Sequence, residues 1–169
     1  MDKMRIVDFF PCVWERYYTP YFVVDQSISG DQCILFHSNG ICVTTIAPSH
    51  PLFTKEKEID SVDFQSRLNN QVSGRWKKGG QVMKPESPLC VIKCKDGTGF
   101  TIYSRVHGTL IEINKSLMDN PSLLVKKPWS DGYIAVILPP LHKSENQKKN
   151  LLSLESYQKL ERVKRSSTT

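Results

Sequence analysis

The stretch from Gly97 to Pro139 constrains the fold of this 169-residue chain more than any other part of its sequence. Asp96-Gly97, a preferred pair for a type I′ turn, stands between two apolar runs, Leu89 to Cys94 and Phe100 to Val106. Apolar and polar residues alternate along the second run, as they do in a strand with one buried face. The pattern therefore predicts a β-hairpin with its turn at Asp96-Gly97.

The residues that follow this hairpin predict two further strands and a loop. His107 to Asn114 reads as a strand, with Gly108 letting the chain turn from one half-sheet to the other. Asn114 is expected to cap a helical turn over Lys115 to Asp119. Tyr133 to Leu138 is apolar enough for a strand buried on both faces. Together these elements predict a mainly β domain.

A second hairpin is predicted nearer the N-terminus. Cys33 to Phe36 and Ile41 to Ile46 flank Asn39-Gly40, the strongest short-range hairpin signal. The apolar residues of the segment that follows, Ile59, Val62 and Phe64, fit a further short strand.

The first 30 residues are rich in aromatic side chains. Phe10, Val13, Trp14 and Tyr17 fall at i, i+3, i+4 and i+7, which is one face of a helix. We expect this stripe to pack against the body of the domain, and a binding surface is the alternative.

Composition indicates a soluble, intracellular protein. The N-terminus has no positive segment leading into a continuous apolar run, and no apolar stretch approaches the ~20 residues of a membrane span. The five cysteines lack metal-site spacing and are expected to be core residues in a reducing compartment: Cys12, Cys33, Cys42, Cys90 and Cys94.

The net charge of +6 is concentrated at the C-terminus, where residues 143–169 carry seven basic and three acidic residues. A polar linker over 143–150 is expected, followed by a helix from about Leu154 to Lys164 with Ser153 as its N-cap. The helix either docks on its own domain or folds in the groove of a partner. Its candidate partner-binding residues are Tyr157, Leu160, Arg162, Val163, Lys164 and Arg165.

No enzyme is recognised from the residues. Ser38 beside His37 and Ser49 beside His50 are sequence neighbours, and neighbours on a strand point to opposite faces, which disfavours a nucleophile–base pair. Arg75-Trp76-Lys77-Lys78 interleaves basic and aromatic residues. It is interpreted as a solvated turn, with nucleic-acid binding together with the basic tail as the alternative.

A series of residues between positions 103 and 133 carries a family resemblance: Tyr103-Ser104-Arg105-Val106-His107-Gly108, Glu112-x-Asn114, Leu117, Asn120-Pro121, Pro128 and Gly132-Tyr133. The series resembles the glycine-cleavage H-protein and its lipoyl-domain relatives. The resemblance implies a barrel-sandwich hybrid (single hybrid motif), here with short N-terminal and C-terminal helices.

In that family a lysine at the hairpin tip carries the prosthetic arm, eleven residues before the motif glycine. Counting back from Gly108 reaches Gly97, and Cys94 stands where the lipoyl signature has an acid. No cofactor is therefore expected. Lys95 is interpreted as a solvated turn residue, and a lipoyl-type carrier modified at Lys95 is the alternative hypothesis.

A second resemblance covers nearly the whole chain, on Asp31-Gln32-Cys33-Ile34-Leu35, His37-Ser38-Asn39, Ile41-Cys42-Val43, Ser49-His50-Pro51, Arg67-Leu68, Val72-Ser73-Gly74, Pro88-Leu89-Cys90, Gly132 to Val136 and Leu151-Leu152. These residues resemble the Abitram (Simiate) family. The resemblance implies a non-enzymatic protein that binds G- or F-actin and modulates actin polymerisation and cell-projection dynamics. It also implies residence in the nucleus, including speckles, in the cytoplasm, and in projections such as lamellipodia, growth cones and dendrites.

Three regions are predicted from these patterns. Residues 1–30 form the aromatic-rich N-terminal segment, 31–142 the H-protein-like β domain, and 143–169 the basic linker with an amphipathic C-terminal helix.

Overall fold

The computed structural model describes residues 17–25, 30–64, 81–140 and 143–167, without the side chains of 144 and 162–167. In these ranges the chain forms ten strands: β1 Tyr18–Val23, β2 Gln32–His37, β3 Cys42–Ile46, β4 Ile59–Phe64, β5 Val82–Met83, β6 Pro88–Cys94, β7 Gly99–Tyr103, β8 Gly108–Ile113, β9 Ala135–Leu138 and β10 Leu152–Ser153. The same ranges contain five helices: α1 Pro51–Thr54, α2 Ser116–Asp119, α3 Leu123–Lys126, α4 Ser144–Lys148 and α5 Leu154–Ser167.

The strands form two antiparallel sheets. The larger sheet has the order β10-β1-β2-β3-β9-β8-β5, and the smaller has the order β4-β6-β7. Each sheet has two edge strands, so the described strands form open sheets rather than a closed barrel. The mainly β prediction is confirmed. No helix among the described residues has the length and apolar character that a membrane crossing requires.

The larger sheet is buried on both faces around β2. Ile34 and Phe36 point into the inner cluster, which fills the space between the two sheets, while Cys33 and Leu35 point into an outer cluster on the opposite face. Trp129 and Tyr157 complete the outer cluster. This strand therefore has a continuous apolar run instead of an alternating one.

Both predicted hairpins form, but their turns differ from type I′. Gly97 (φ +91°) and Gly40 (φ +100°) have positive φ, whereas Asp96 and Asn39 do not. The Gly97 N–H donates to the Cys94 carbonyl at 3.0 Å, so Lys95 and Asp96 are the two central residues of the turn. Glycine is needed at the position that follows them, since left-handed backbone is costly for other residues.

The corner between β7 and β8 also differs from the prediction. The strand predicted to reach Val106 ends at Tyr103, because Arg105 adopts a positive φ of 62° and breaks the extended backbone. Gly108 does not make the turn. A Cβ at Gly108 would lie 2.7 Å from the Leu138 carbonyl oxygen, so glycine there permits close approach to β9.

The remaining predicted elements form with shifted limits. The short strand around Val62 is present as β4, and the strand predicted over 133–138 begins at Ala135. Asn114 accepts a hydrogen bond from the Ser116 N–H at 3.3 Å, as expected for a cap, although Lys115 lies between it and α2. Its amide also donates to the carbonyls of Asp131 and Tyr133 at 2.7 and 2.8 Å.

The large sheet crosses both predicted domain boundaries. β1 pairs with β2 across the division at residue 30, and β10 pairs with β1, which brings the tail into the sheet. Part of the predicted linker is helical as α4, and α5 extends to Ser167. The predicted N-terminal helix lies, apart from Tyr17, outside the described residues, as do Cys12, Arg75, Trp76, Lys77 and Lys78.

Candidate functional site

The tip of the β6–β7 hairpin is held by ion pairs. Lys57 Nζ lies 2.6 Å from Asp96 Oδ2 and donates to Thr98 Oγ1 at 3.0 Å. The hydrogen bonds from Lys57 and Thr98 hold the pKa of the Asp96 carboxyl well below its usual range. Lys95 Nζ is 3.3 Å from Glu58 Oε2, and the Lys95 side chain is 64% exposed. The tip therefore presents Gly97 at the expected attachment position, with Lys95 two residues away and in solvent.

The serine–histidine neighbours do not form nucleophile–base pairs through the Nδ1 atoms of their histidines. His50 Nδ1 accepts the Leu52 N–H at 3.1 Å, which caps α1, and its ring packs edge-on against Phe100. His37 Nδ1 accepts the Asn39 N–H at 3.0 Å. Within the described ranges, no group of three or more His, Cys, Asp or Glu side chains has the arrangement of a metal site.

The buried cysteines behave as core residues. Cys33, Cys42, Cys90 and Cys94 are free and buried. Burial raises the pKa of the Cys42 thiol to about 12, with Lys148 lowering it slightly, and burial raises the pKa of Cys33 as well. Neutral thiols of this kind are poor nucleophiles.

The tail wraps around the β1 edge of the large sheet. Strand β10 pairs with β1 in the register Tyr21↔Ser153 and Phe22↔Leu152. Ser153 Oγ then accepts the Ser156 N–H at 3.3 Å and caps α5, as predicted. These contacts place α5 against the outer face of the sheet.

Helix α4 packs at the corner before β8. The Gln147 side chain donates to the His107 carbonyl at 2.8 Å and accepts the His107 N–H at 2.5 Å. The Gln147 side-chain amide thus occupies both backbone hydrogen-bonding groups of His107, as a residue of a neighbouring strand would. Lys148 Nζ lies 5.2 Å from the centre of the Phe36 ring and 5.9 Å from that of Tyr21, which are cation–π distances.

Tyr157 anchors α5 to the domain. Its side chain is 1% exposed, and its ring stacks on Phe22 with centroids 4.0 Å apart and planes 6° from parallel. The Tyr157 hydroxyl donates to Ser49 Oγ at 2.6 Å and accepts the Ser49 N–H at 3.1 Å. Burial raises the pKa of the Tyr157 phenol, and the hydrogen bond with Ser49 partly offsets this effect.

A chain of hydrogen bonds continues from Tyr157 into the body of the domain. Ser49 Oγ donates to Asp31 Oδ2 at 2.5 Å, and Asp31 Oδ1 accepts the Asp25 N–H at 2.9 Å. The Asp25 carboxylate pairs with Arg105 at 2.5 Å. We call this series, Tyr157–Ser49–Asp31–Asp25–Arg105, the polar chain.

The end of β7 is fixed at the same place. Arg105 Nε donates to Gln32 Oε1 at 3.2 Å, and the Gln32 amide exchanges two hydrogen bonds with the Tyr103 backbone at 2.8 and 3.1 Å. Through these contacts the polar chain links α5 on the outer face to the end of the smaller sheet.

Comparison with known proteins identifies the family. The family model described as glycine cleavage H-protein matches residues 59–164. Protein Abitram of Danio rerio is 43% identical over 157 residues, covering 89% of both chains. The Homo sapiens protein is 41% identical over 166 residues, covering 94% of this chain and 91% of its own length. The chain belongs to the Abitram family. Protein Abitram of Dictyostelium discoideum, at 36% identity over 155 residues, extends this relationship to a distant organism.

The fold agrees with the H-protein resemblance. The crystal structure of a glycine cleavage system H protein from Mycobacterium marinum superposes with a TM-score of 0.53, covering 81% of this chain and 92% of the other at 12% identity. At that identity the likeness concerns the fold alone. Both predicted resemblances, to Abitram and to the H-protein fold, are confirmed.

The candidate partner-binding residues of this Abitram-family chain fall into different environments. Tyr157 is taken up by the outer cluster and Leu160 is half-buried. The backbone places Arg162, Val163, Lys164 and Arg165 on α5, and their side chains lie outside the described set. The binding role of these residues stays a prediction.

Sequence reasoning missed Ser49 and His107 as structural partners of the tail, and Asp31 as the acceptor behind Ser49. Ser49 and Tyr157 are 108 residues apart, and no local pattern announces their contact. One usable signal was Asp31 beside the predicted buried strand, because an acid at such a position requires a partner.

Proposed function

We propose that this chain is a non-enzymatic actin-binding protein that modulates actin polymerisation and cell-projection dynamics. The observation that carries the proposal is the match to Protein Abitram over about nine-tenths of both chains. The expectation that this chain binds actin comes from the resemblance to that family. The protein would act by contact with actin rather than by chemistry on a substrate.

The hairpin tip supports a role other than acyl-group carriage. The expected attachment position is occupied by Gly97, which has no side chain to modify. The carboxylate of the preceding residue, Asp96, accepts hydrogen bonds from Lys57 Nζ and from the Thr98 N–H. A scaffold of this shape without a lysine at the expected attachment position is suited to binding through its faces and tail.

The same resemblance supports a proposal on location. We propose that the protein resides in the nucleus, including speckles, in the cytoplasm, and in projections such as lamellipodia, growth cones and dendrites. Fluorescent tagging of the full chain in cells that extend projections tests this, and exclusive residence in any other compartment would contradict it.

The direct test follows actin polymerisation with a fluorescent actin in the presence of increasing amounts of the full chain. The proposal predicts a dose-dependent change in lag time or elongation rate. A glycine cleavage H-protein, which shares the fold at low identity, is the matched control and is expected to leave the curves unchanged. Superimposable curves with and without saturating protein would refute the proposal.

Removal of residues 143–169 is a poor test of the tail's contribution. Those residues include β10, which pairs with β1, and Tyr157, which is part of the outer cluster. Their removal would disturb the domain together with any binding surface, so point variants on the exposed face of α5 are preferable.

A further inference from the structure

We propose that Tyr21, Phe36 and His107 form a binding site for an extended peptide that carries a lysine, and that α4 closes this site in the free chain. Two side chains of α4, Gln147 and Lys148, occupy the site and show which chemical groups it accepts. This inference goes beyond the proposed function and does not depend on actin.

The first feature of the site is a pair of aromatic walls. Tyr21 on β1 and Phe36 on β2 have ring centroids 5.2 Å apart, with the ring planes at 76° to each other. Phe36 belongs to the inner cluster and Tyr21 packs against it. Because β1 pairs with β2, the backbone that carries both rings is set by the sheet rather than by α4.

The second feature is the cation between these walls. Lys148 Nζ lies 5.2 Å from the centre of the Phe36 ring and 5.9 Å from that of Tyr21. Aromatic rings arranged around one ammonium are the means by which aromatic cages recognise alkylammonium groups. The Glu145 carboxylate, 2.9 Å from the same ammonium, is carried by α4 itself. The domain therefore contributes the two rings, which accept the ammonium of a lysine.

The third feature is a position for a peptide group beside the cage. The Gln147 side-chain amide donates to the His107 carbonyl at 2.8 Å and accepts the His107 N–H at 2.5 Å. An extended peptide presents the same two groups in its backbone. His107 Nδ1 is shielded from solvent and has no hydrogen-bond partner among the described residues, so a polar atom is left for a further contact with a ligand.

Helix α4 closes the site through polar contacts. The described side chains of α4 belong to neither apolar cluster, and Glu145 and Asn146 are exposed. The chain beyond α4 is held separately, by Leu151 against the inner cluster and by the pairing of β10 with β1. Helix α4 can therefore open locally while the rest of the tail stays docked. Because Lys148 is tethered at the site, it outcompetes a weakly binding lysine until α4 opens.

The experiment titrates the full ¹⁵N-labelled chain with the peptide acetyl-Ala-Thr-Lys-Thr-Ala-amide and follows binding by NMR. The same peptide with norleucine in place of lysine keeps the aliphatic chain and removes the charge. The opened variant, Gln147→Ala with Lys148→Ala, removes both groups that occupy the site. Asn146→Ala with Lys149→Ala is the matched control, because it changes exposed neighbours of the same kind. Circular dichroism confirms that each variant retains its fold.

The opened variant is expected to bind the lysine peptide about tenfold more tightly than the wild type and the matched control do, because the tethered competitor is gone. The norleucine peptide is expected to bind the opened variant about fivefold more weakly than the lysine peptide, since it lacks the cation. Adding Tyr21→Leu to the opened variant removes one wall and should abolish this preference. Lys148→Ala alone keeps the Gln147 bonds, should bind with intermediate affinity, and provides the test if the opened variant does not fold.

Three results would each overturn the inference. They are absence of peptide binding by both the opened variant and Lys148→Ala, equal binding of the lysine and norleucine peptides, and equal affinity of the wild type and the opened variant. The actin assay is independent of these titrations. If the peptides bind as expected and actin polymerisation is unchanged by the wild type, the proposed function fails and the peptide site stands.

Discussion

Thr44 and Thr45 are neighbours on β3 with opposite hydrogen-bonding situations. Thr44 is fully buried and its Oγ1 atom has no hydrogen-bond partner, whereas Thr45 Oγ1 donates to the Pro128 carbonyl. Removing an unsatisfied hydroxyl relieves a desolvation cost, and removing a bonded one leaves its acceptor unpaired.

Thr44→Val is therefore expected to raise the free energy of unfolding by about 1 kcal/mol, and Thr45→Val to lower it by about 1–2 kcal/mol. Urea denaturation of the two variants measures both changes. Equal destabilisation by the two substitutions would show that the Thr44 hydroxyl is satisfied in solution.

Asp96 provides a pH-dependent test of the hairpin tip. Its pKa is lowered in the folded chain by Lys57, so the pair stabilises the fold above the unfolded-state pKa of about 3.9 and loses this contribution as pH falls through the folded pKa. Asp96→Asn is expected to be less stable than the wild type at pH 7, with a difference that shrinks below about pH 4. The comparison is made by denaturation at several pH values, and a difference that does not vary with pH would contradict the assignment.

At the scale of elements, the apolar residues of α5, which we call the seam, are regularly spaced in the sequence but do not lie on one face of the helix. Leu154, Tyr157, Leu160 and Val163 are spaced three apart, while an α-helix has about 3.6 residues per turn. The seam therefore drifts around the axis, and positions 154 and 163 lie about half a turn apart. Of the described side chains in this series, Tyr157 is fully buried, whereas Leu154 and Leu160 are half-buried.

Tyr157 is expected to contribute more to stability than its neighbours on α5. Tyr157→Ala should lower the free energy of unfolding by about 3–5 kcal/mol through loss of the ring, and Tyr157→Phe by about 1 kcal/mol through loss of the hydroxyl. Ser156→Ala, at an exposed position of the same helix, is the control and should change stability little. Similar unfolding midpoints for Tyr157→Ala and the wild type would mean that α5 is not docked in solution.

The elements that the sequence predicted are those defined by local chemistry. Asn39-Gly40 and Asp96-Gly97 each mark a hairpin within a few residues, and both hairpins form. The partners of the polar chain were not predictable in this way, because the Asp25–Arg105 and Ser49–Tyr157 contacts join residues 80 and 108 positions apart. The end of β7 was also missed, since a positive φ at an arginine has no local sequence signal.

At the scale of the whole molecule, an H-protein-like fold is combined with a hairpin tip that lacks the attachment lysine. Co-expression with a lipoate ligase is expected to leave the intact mass of the chain unchanged, because Gly97 replaces the acceptor and Lys95 occupies a different turn position. A glycine cleavage H-protein treated in parallel serves as the positive control. A lipoyl mass increment that disappears in Lys95→Arg would instead establish the carrier alternative.

The pairing of β10 with β1 has a consequence for biosynthesis. The first described strand begins at residue 18, and the strand that covers its edge ends at residue 153. Translation between them takes on the order of ten seconds. Until the tail is made, Phe22 in the emerging chain lacks Tyr157, whose ring stacks on it in the folded domain. The protein should therefore depend on chaperones during synthesis, and ribosome stalling before the tail is made should send the nascent chain to degradation.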